Sequence, residues 1–91
     1  MDTNQAARFE THLAGLVDDG ARRIIVDLSK MAFITSSGLR VLLATAKRLK
    51  TLDGELGVAC LNTTVQEVFE IAGFTMLLPV YDSVEEGLAD V

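Results

Sequence analysis

Residues 24–28, Ile-Ile-Val-Asp-Leu, form a β-branched run with one polar member, apolar on both faces apart from Asp27. An antiparallel strand with one wet face alternates apolar and polar residues. A run without that alternation is expected where a strand is covered on both sides, as in a parallel sheet. A parallel neighbour requires a crossover connection, and the chain supplies candidates on either side. Phe9, Leu13, Leu16 and Val17 recur at helical spacing ahead of the run, with Asp2, Thr3 or Asn4 as cap and Asp19-Gly20 as stop.

After it, residues 35–50 (TSSGLRVLLATAKRLK) place Leu39, Leu42, Leu43, Ala46 and Leu49 on one helical stripe. Arg40, Lys47 and Lys50 fall largely outside that stripe, and a cationic last turn suits the negative end of the helix dipole. Asp53-Gly54 makes a turn into a second strand, Leu56 to Leu61. Thr64 and Glu67 are spaced as a capping box for a helix carrying Val65, Val68, Phe69 and Ala72, which Gly73 ends. Met76 to Tyr81 reads as a third strand, at an edge because Pro79 has no N–H to donate. Asp82-Ser83 then caps a last helix through Val84, Glu85, Glu86 and Leu88. The order αβαβαβα specifies an α/β fold: a small, mainly parallel sheet of about three strands packed with helices and joined by right-handed crossovers.

The chain's 91 residues are room for one small domain, residues 1–91, and exclude a two-domain enzyme. With 8 basic against 13 acidic residues the net charge is -5, which argues against nucleic acid as a direct ligand, because phosphate binding needs a positive field. Cys60 is the only cysteine, so neither a disulfide within the chain, a zinc cluster nor a CxxC redox site can be assembled. The longest nearly apolar stretches fall short of the ~20 residues that span a bilayer, and the polar start MDTNQAARFE lacks the apolar core of a signal peptide. A cytoplasmic location with no membrane association is expected.

Enzyme signals are sparse. His12 has no second histidine or cysteine at metal-ligand spacing, and no metal or cofactor is expected. Phosphate-cradling loops of the GxGxxG or GxxxxGK type are absent. Asp18-Asp19 and Glu85-Glu86 read as solvated helix ends. A hydrolytic or nucleotide-binding enzyme would need a serine nucleophile with His12 as its base, two groups on different elements. No catalytic residue is assigned.

One segment stands apart. Thr35-Ser36-Ser37-Gly38 lies where the connection from the first strand enters the long helix, and in parallel α/β units such loops are where ligands and partners are met. A cap needs one hydroxyl, and three stand in a row. A phosphate placed there would meet free backbone N–H groups and the positive dipole end, while its charge of about -1.5 to -2 would transform the surface a partner sees. Gly38, without a Cβ, would allow close approach of another backbone.

The run IIVDLSKMAFITSSGLRVLLATAKRLK resembles the signature of STAS domains of the anti-sigma factor antagonist type. In that family a buried strand ending Asp-Leu-Ser is followed by a hydrophobic residue, Asp-Ser-Ser/Ala-Gly-Leu and an apolar helix. The later VQEVFEIAGFTMLLPVYDSVEEGL is similar to the family's closing helix, strand and helix, and the likeness runs from Asp2 to Leu88. It implies a partner-switching protein. The unphosphorylated form binds an anti-sigma factor that is also a GHKL serine kinase, phosphorylation of one serine breaks the complex, and a PPM-type serine phosphatase resets it.

By position the resemblance makes Ser36 the phosphoacceptor and gives Thr35, Ser37, Gly38, Leu39 and Arg40 to the partner surface. Asp27 matches the acidic residue ending the preceding strand. Thr35 departs from the family's usual Asp and removes a negative charge beside the acceptor. A second departure lies at the start: Met1-Asp2-Thr3 matches the end of the family's N-terminal two-strand hairpin, so the domain reads as truncated there, with an exposed sheet edge. A homodimer or strand-swapped oligomer is expected from that edge. The alternative within the family is a phosphorylation-independent scaffold, in a sensory complex, beside a transporter or with a lipid-transport ATPase.

Overall fold

A computed structural model describes residues 2–89. The elements are α1 (Thr3–Asp18), β1 (Arg23–Asp27), α2 (Ser36–Thr51), β2 (Glu55–Ala59), α3 (Thr63–Ile71), a 3-10 turn (Phe74–Met76), β3 (Val80–Tyr81) and α4 (Val84–Ala89). The three strands are parallel and ordered β1-β2-β3, with Ile24 opposite Leu56, Val26 opposite Val58 and Ala59 opposite Tyr81. This is the alternating α/β architecture expected from the periodicity. Met1, one end of the Met1-Asp2-Thr3 match, lies outside the described residues.

Side chains of β1 alternate as strand geometry requires. Ile24 and Val26 join Leu56, Val58 and the apolar faces of α1, α2 and α3 in the core cluster. Ile25 points the other way, where α4 covers it: a Cβ built on Gly87 would stand 3.0 Å from the Tyr81 ring and 3.1 Å from Ile25. That glycine therefore sets how closely α4 can approach the sheet. Leu42 and Leu49 of α2 are fully buried, each worth about 1.5–3 kcal/mol of apolar burial. Leu39, Leu43 and Ala46, from the same stripe, are only half-buried.

The caps show where local chemistry decided and where it did not. Asp2 caps α1 in a full capping box with Gln5, and Asp19 with left-handed Gly20 ends it. Ser83 caps α4 through the Glu86 N–H at 3.0 Å. The cap of α3 differs from expectation. The helix begins two residues earlier than the Thr64–Glu67 spacing suggested, and Asn62 is its cap, Oδ1 accepting from the Val65 N–H at 2.8 Å. Gly73 follows α3 in the left-handed region at φ 77°, as read.

The third strand also differs. Of the expected Met76–Tyr81 span only Val80 and Tyr81 pair with β2, while residues 74–76 close a 3-10 turn. The cause is tertiary. Gly73 turns the chain so that the Phe74 ring packs edge-on against Phe69, with centroids 5.6 Å apart, and Leu78 is drawn into the core. Met76 and Leu77 are left on the outside, 90% and 60% exposed. Pro79, without an N–H, still offers its carbonyl to the Val58 N–H at 2.9 Å.

The second strand is shorter than the expected Leu56–Leu61 because Cys60 takes a left-handed conformation at φ 64°, which ends the extended run. The outer edge of β1 pairs with no strand among the described residues.

Candidate functional site

The carboxyl end of β1 leads through residues 28–35 into α2. Hydrogen bonds and core packing fasten this connection along its length. Where it leaves the strand, the Asp27 carboxylate accepts from the Ser29 N–H at 2.9 Å. That bond first, then the Ser29 hydroxyl, holds the Asp27 carboxyl below its ordinary range, with smaller help from the Cys60 side chain and the Lys30 charge against the cost of desolvation. In the middle, Asn62 Nδ2 donates to the carbonyls of Met31 at 2.9 Å and Ala32 at 3.3 Å. At the far end Thr35 caps α2, its Oγ1 accepting from the Gly38 N–H at 3.4 Å. The buried Ile34 side chain anchors the same stretch to the core.

This leaves a division of labour among the three hydroxyls. Thr35, extended at φ -89° and ψ 168°, is the cap. Ser36 is the first helical residue and is exposed, and Ser37 is half-buried. Their N–H groups have no partner among the described residues, as expected for the open donors of a helix start. A sixteen-residue helix stands behind them with its dipole directed at this point.

Gly38 is buried, Leu39 is half-buried and Arg40 is exposed one turn beyond Ser36. Gly38 thus faces the chain's own interior, and the surface offered to solvent is built chiefly from Ser36 and Arg40. Ser37 and Arg40 also line a shallow cleft of about 170 Å³ between α2 and the first turns of α1, opposite Thr3, Ala6 and Glu10. His12 lies exposed on α1, a different element from the serines.

The domain model for the STAS domain matches residues 1–87, which include every element just described except the tip of α4. The chain belongs to the STAS domain family. BtrV of Bordetella bronchiseptica, which carries the name of an anti-sigma factor antagonist, is 43% identical over 89 residues, covering 98% of this chain and 77% of BtrV. An anti-sigma-B factor antagonist of Staphylococcus aureus is 29% identical over 85 residues, covering 93% and 79%. Among solved structures, an anti-sigma factor antagonist from Mycobacterium paratuberculosis superposes with a TM-score of 0.90 at 25% identity, covering all of this chain and 77% of the other. A structure from Thermotoga maritima reaches 0.92 at 21% identity, over 97% and 76%, and bears on the STAS fold alone.

Asn62 is the residue that the sequence reading did not single out. It is both the cap of α3 and the clamp on the β1–α2 connection. An Asn two residues ahead of a helical pattern signals a cap, but the clamp joins residues about 30 positions apart and has no local signal.

Proposed function

We propose that this STAS domain is an anti-sigma factor antagonist that works by partner switching. In its unphosphorylated form it binds an anti-sigma factor of the GHKL serine-kinase type through Ser36, Arg40 and the flanking edges of Thr35, Ser37 and Leu39. The kinase transfers the γ-phosphoryl group of ATP to Ser36 Oγ, the hydroxyl proton leaving to a base on the kinase. A PPM-type phosphatase returns the serine by hydrolysis. The chain acts as a regulatory binding protein in this reading, and the chemistry belongs to its partners.

The observation that carries the proposal is the freedom of Ser36. Capping is done by Thr35, so the exposed Ser36 hydroxyl can be modified without loss of the helix start. A phosphate there adds about -1.5 to -2 charges at the positive end of α2, which the fold tolerates and a partner surface made for a neutral hydroxyl does not. The named relatives support the partner class: they are called antagonists of anti-sigma factors, one of them at 43% identity.

The test pairs two variants against the cognate anti-sigma kinase. Ser36→Ala is expected to bind constitutively and Ser36→Asp to lose binding by tenfold or more, about 1.4 kcal/mol. Helix α2 should be stabilised by a few tenths of a kcal/mol in Ser36→Asp, so unfolding would not explain the loss. Phosphopeptide mass spectrometry after incubation with ATP and the kinase should place the phosphate on Ser36. Equal affinity of both variants would favour the phosphorylation-independent scaffold instead.

A further inference from the structure

At the opposite end of α2 from Ser36, the helix and the segment after the 3-10 turn enclose an open groove of about 430 Å³, lined by Leu43, Ala46, Lys47, Lys50, Leu77 and Leu78. Its floor is apolar and its rim on the α2 side is cationic. The groove exists because the half-buried edge of the α2 stripe is not covered, and because the shortened β3 leaves Leu77 outside. Met76, next in the chain, is 90% exposed and extends the apolar surface. Leu77, Met76 and the half-buried Leu43 thus form one apolar surface beside Lys47 and Lys50.

Charge identifies the occupant. The protein carries a net charge of -5, yet among the described residues no acidic one lines this groove. Arg48, on another face of α2, is paired with Asp18, whereas Lys47 and Lys50 make no ion pair among the described residues. A small ligand would be largely enclosed by its site, and Leu77 at 60% exposure encloses nothing. The groove is recessed between α2 and the segment after the 3-10 turn, a shape that takes a helix rather than a flat membrane surface.

We propose that this groove seats an acidic amphipathic helix of a partner protein, its apolar stripe on Leu43, Ala46 and Leu77 over the buried Leu78 and its carboxylates on Lys47 and Lys50. The mode is helix-in-groove recognition, with anchors at i, i+3, i+4 and i+7. Leu43 and Lys50 stand seven residues apart, two turns of α2, which matches such a repeat. Lys47 lies about 16 Å along the axis from Ser36, roughly twice the screening length at physiological salt. Binding here is therefore independent of the charge state of Ser36, and this inference stands apart from the partner-switching proposal.

The probe is a synthetic helical peptide of about 14 residues with leucines at i, i+3, i+4 and i+7 and glutamates flanking that stripe on the side that meets Lys47 and Lys50, against a control with lysines in place of the glutamates. Fluorescence anisotropy should give saturable binding of the acidic peptide only, with amide shift changes at Leu43, Lys47, Lys50 and Leu77. The double variant Lys47→Glu/Lys50→Glu should weaken it at least tenfold. Leu77→Asp should do the same while leaving the circular dichroism spectrum unchanged, since Leu77 is not a core residue. Ser36→Asp should bind the peptide as the parent does. The inference is overturned by no saturable binding, by equal binding of the lysine peptide, or by shifts confined to other surfaces. Self-association that protects Leu77, or preference for phosphatidylglycerol vesicles over the peptide, would overturn it equally.

Discussion

Asn62 Nδ2 donates to the Met31 carbonyl at 2.9 Å, across 31 residues of sequence, while Oδ1 of the same amide caps α3. One side chain thus ties the helix after β2 to the connection after β1, whose far end sets the position of Ser36. Asn62→Ala should lose both functions, a cap worth about 1 kcal/mol and loop bonds worth about 0.5–1.5 kcal/mol each. Asn62→Asp keeps the cap and loses only the donor. Urea denaturation should therefore rank the variants parent, Asn62→Asp, Asn62→Ala, and hydrogen exchange should quicken at residues 31–35 in both. Equal stability of parent and Asn62→Ala would contradict this assignment.

Asp27 gives the protein a pH dependence of defined sign. Its carboxyl is held below the ordinary aspartate value of 3.8, chiefly by the Ser29 N–H. The unfolded chain therefore binds the proton first as pH falls, and folding stability rises with pH across that interval. The contribution is fully present above the unfolded value and disappears as pH falls through the lower, folded one. Denaturation midpoints of the parent and Asp27→Asn should differ at pH 6 and converge towards pH 3. A difference that stays constant over that range would show that ionisation of Asp27 is not the source.

Two glycines separate space from conformation. A Cβ on Gly54 would stand 2.2 Å from the Arg22 carbonyl oxygen, which accepts from the Glu55 N–H in the bond that opens the β1–β2 ladder. Backbone cannot yield there as a flexible side chain would, so Gly54→Ala should cost about 1–3 kcal/mol or more. Gly15, inside α1 with nothing within 4 Å of its built Cβ, is the opposite case. Gly15→Ala should raise stability by about 0.5–1 kcal/mol. Thermal denaturation of the two variants side by side reads the contrast directly.

The outer edge of β1 has no strand beside it among the described residues. Such an edge is a template for another strand, and we expect it to pair in a homodimer or strand-swapped oligomer. Sedimentation velocity should show a concentration-dependent dimer, weakened by Ile25→Pro, which removes an N–H and disfavours the extended pairing. A well-folded monomer at all concentrations would dismiss the edge as an interface.

Most of the element order was legible from residue 3 onwards because its signals are local. Asp2, Ser83 and the left-handed Gly20 and Gly73 act within a turn of the chain, and the apolar run of β1 announces a strand covered on both faces. The span of β3 was not legible. Residues 76–81 have strand composition, but the Phe69–Phe74 contact and the absent Pro79 N–H shorten the pairing to Val80 and Tyr81.

The same contrast runs through the site. The Thr-Ser-Ser-Gly tract by itself determined that a helix would start at a row of hydroxyls, since capping is a contact between residues three apart. Only the tertiary structure decided which hydroxyl is left over. Thr35 takes the cap, Gly38 turns inward and Ser36 outward, because α2 must lay Val41, Leu42 and Leu49 on the core. That packing fixes the rotation of the helix, and with it the groove at its other end and the free face of Ser36, through contacts between residues far apart in sequence.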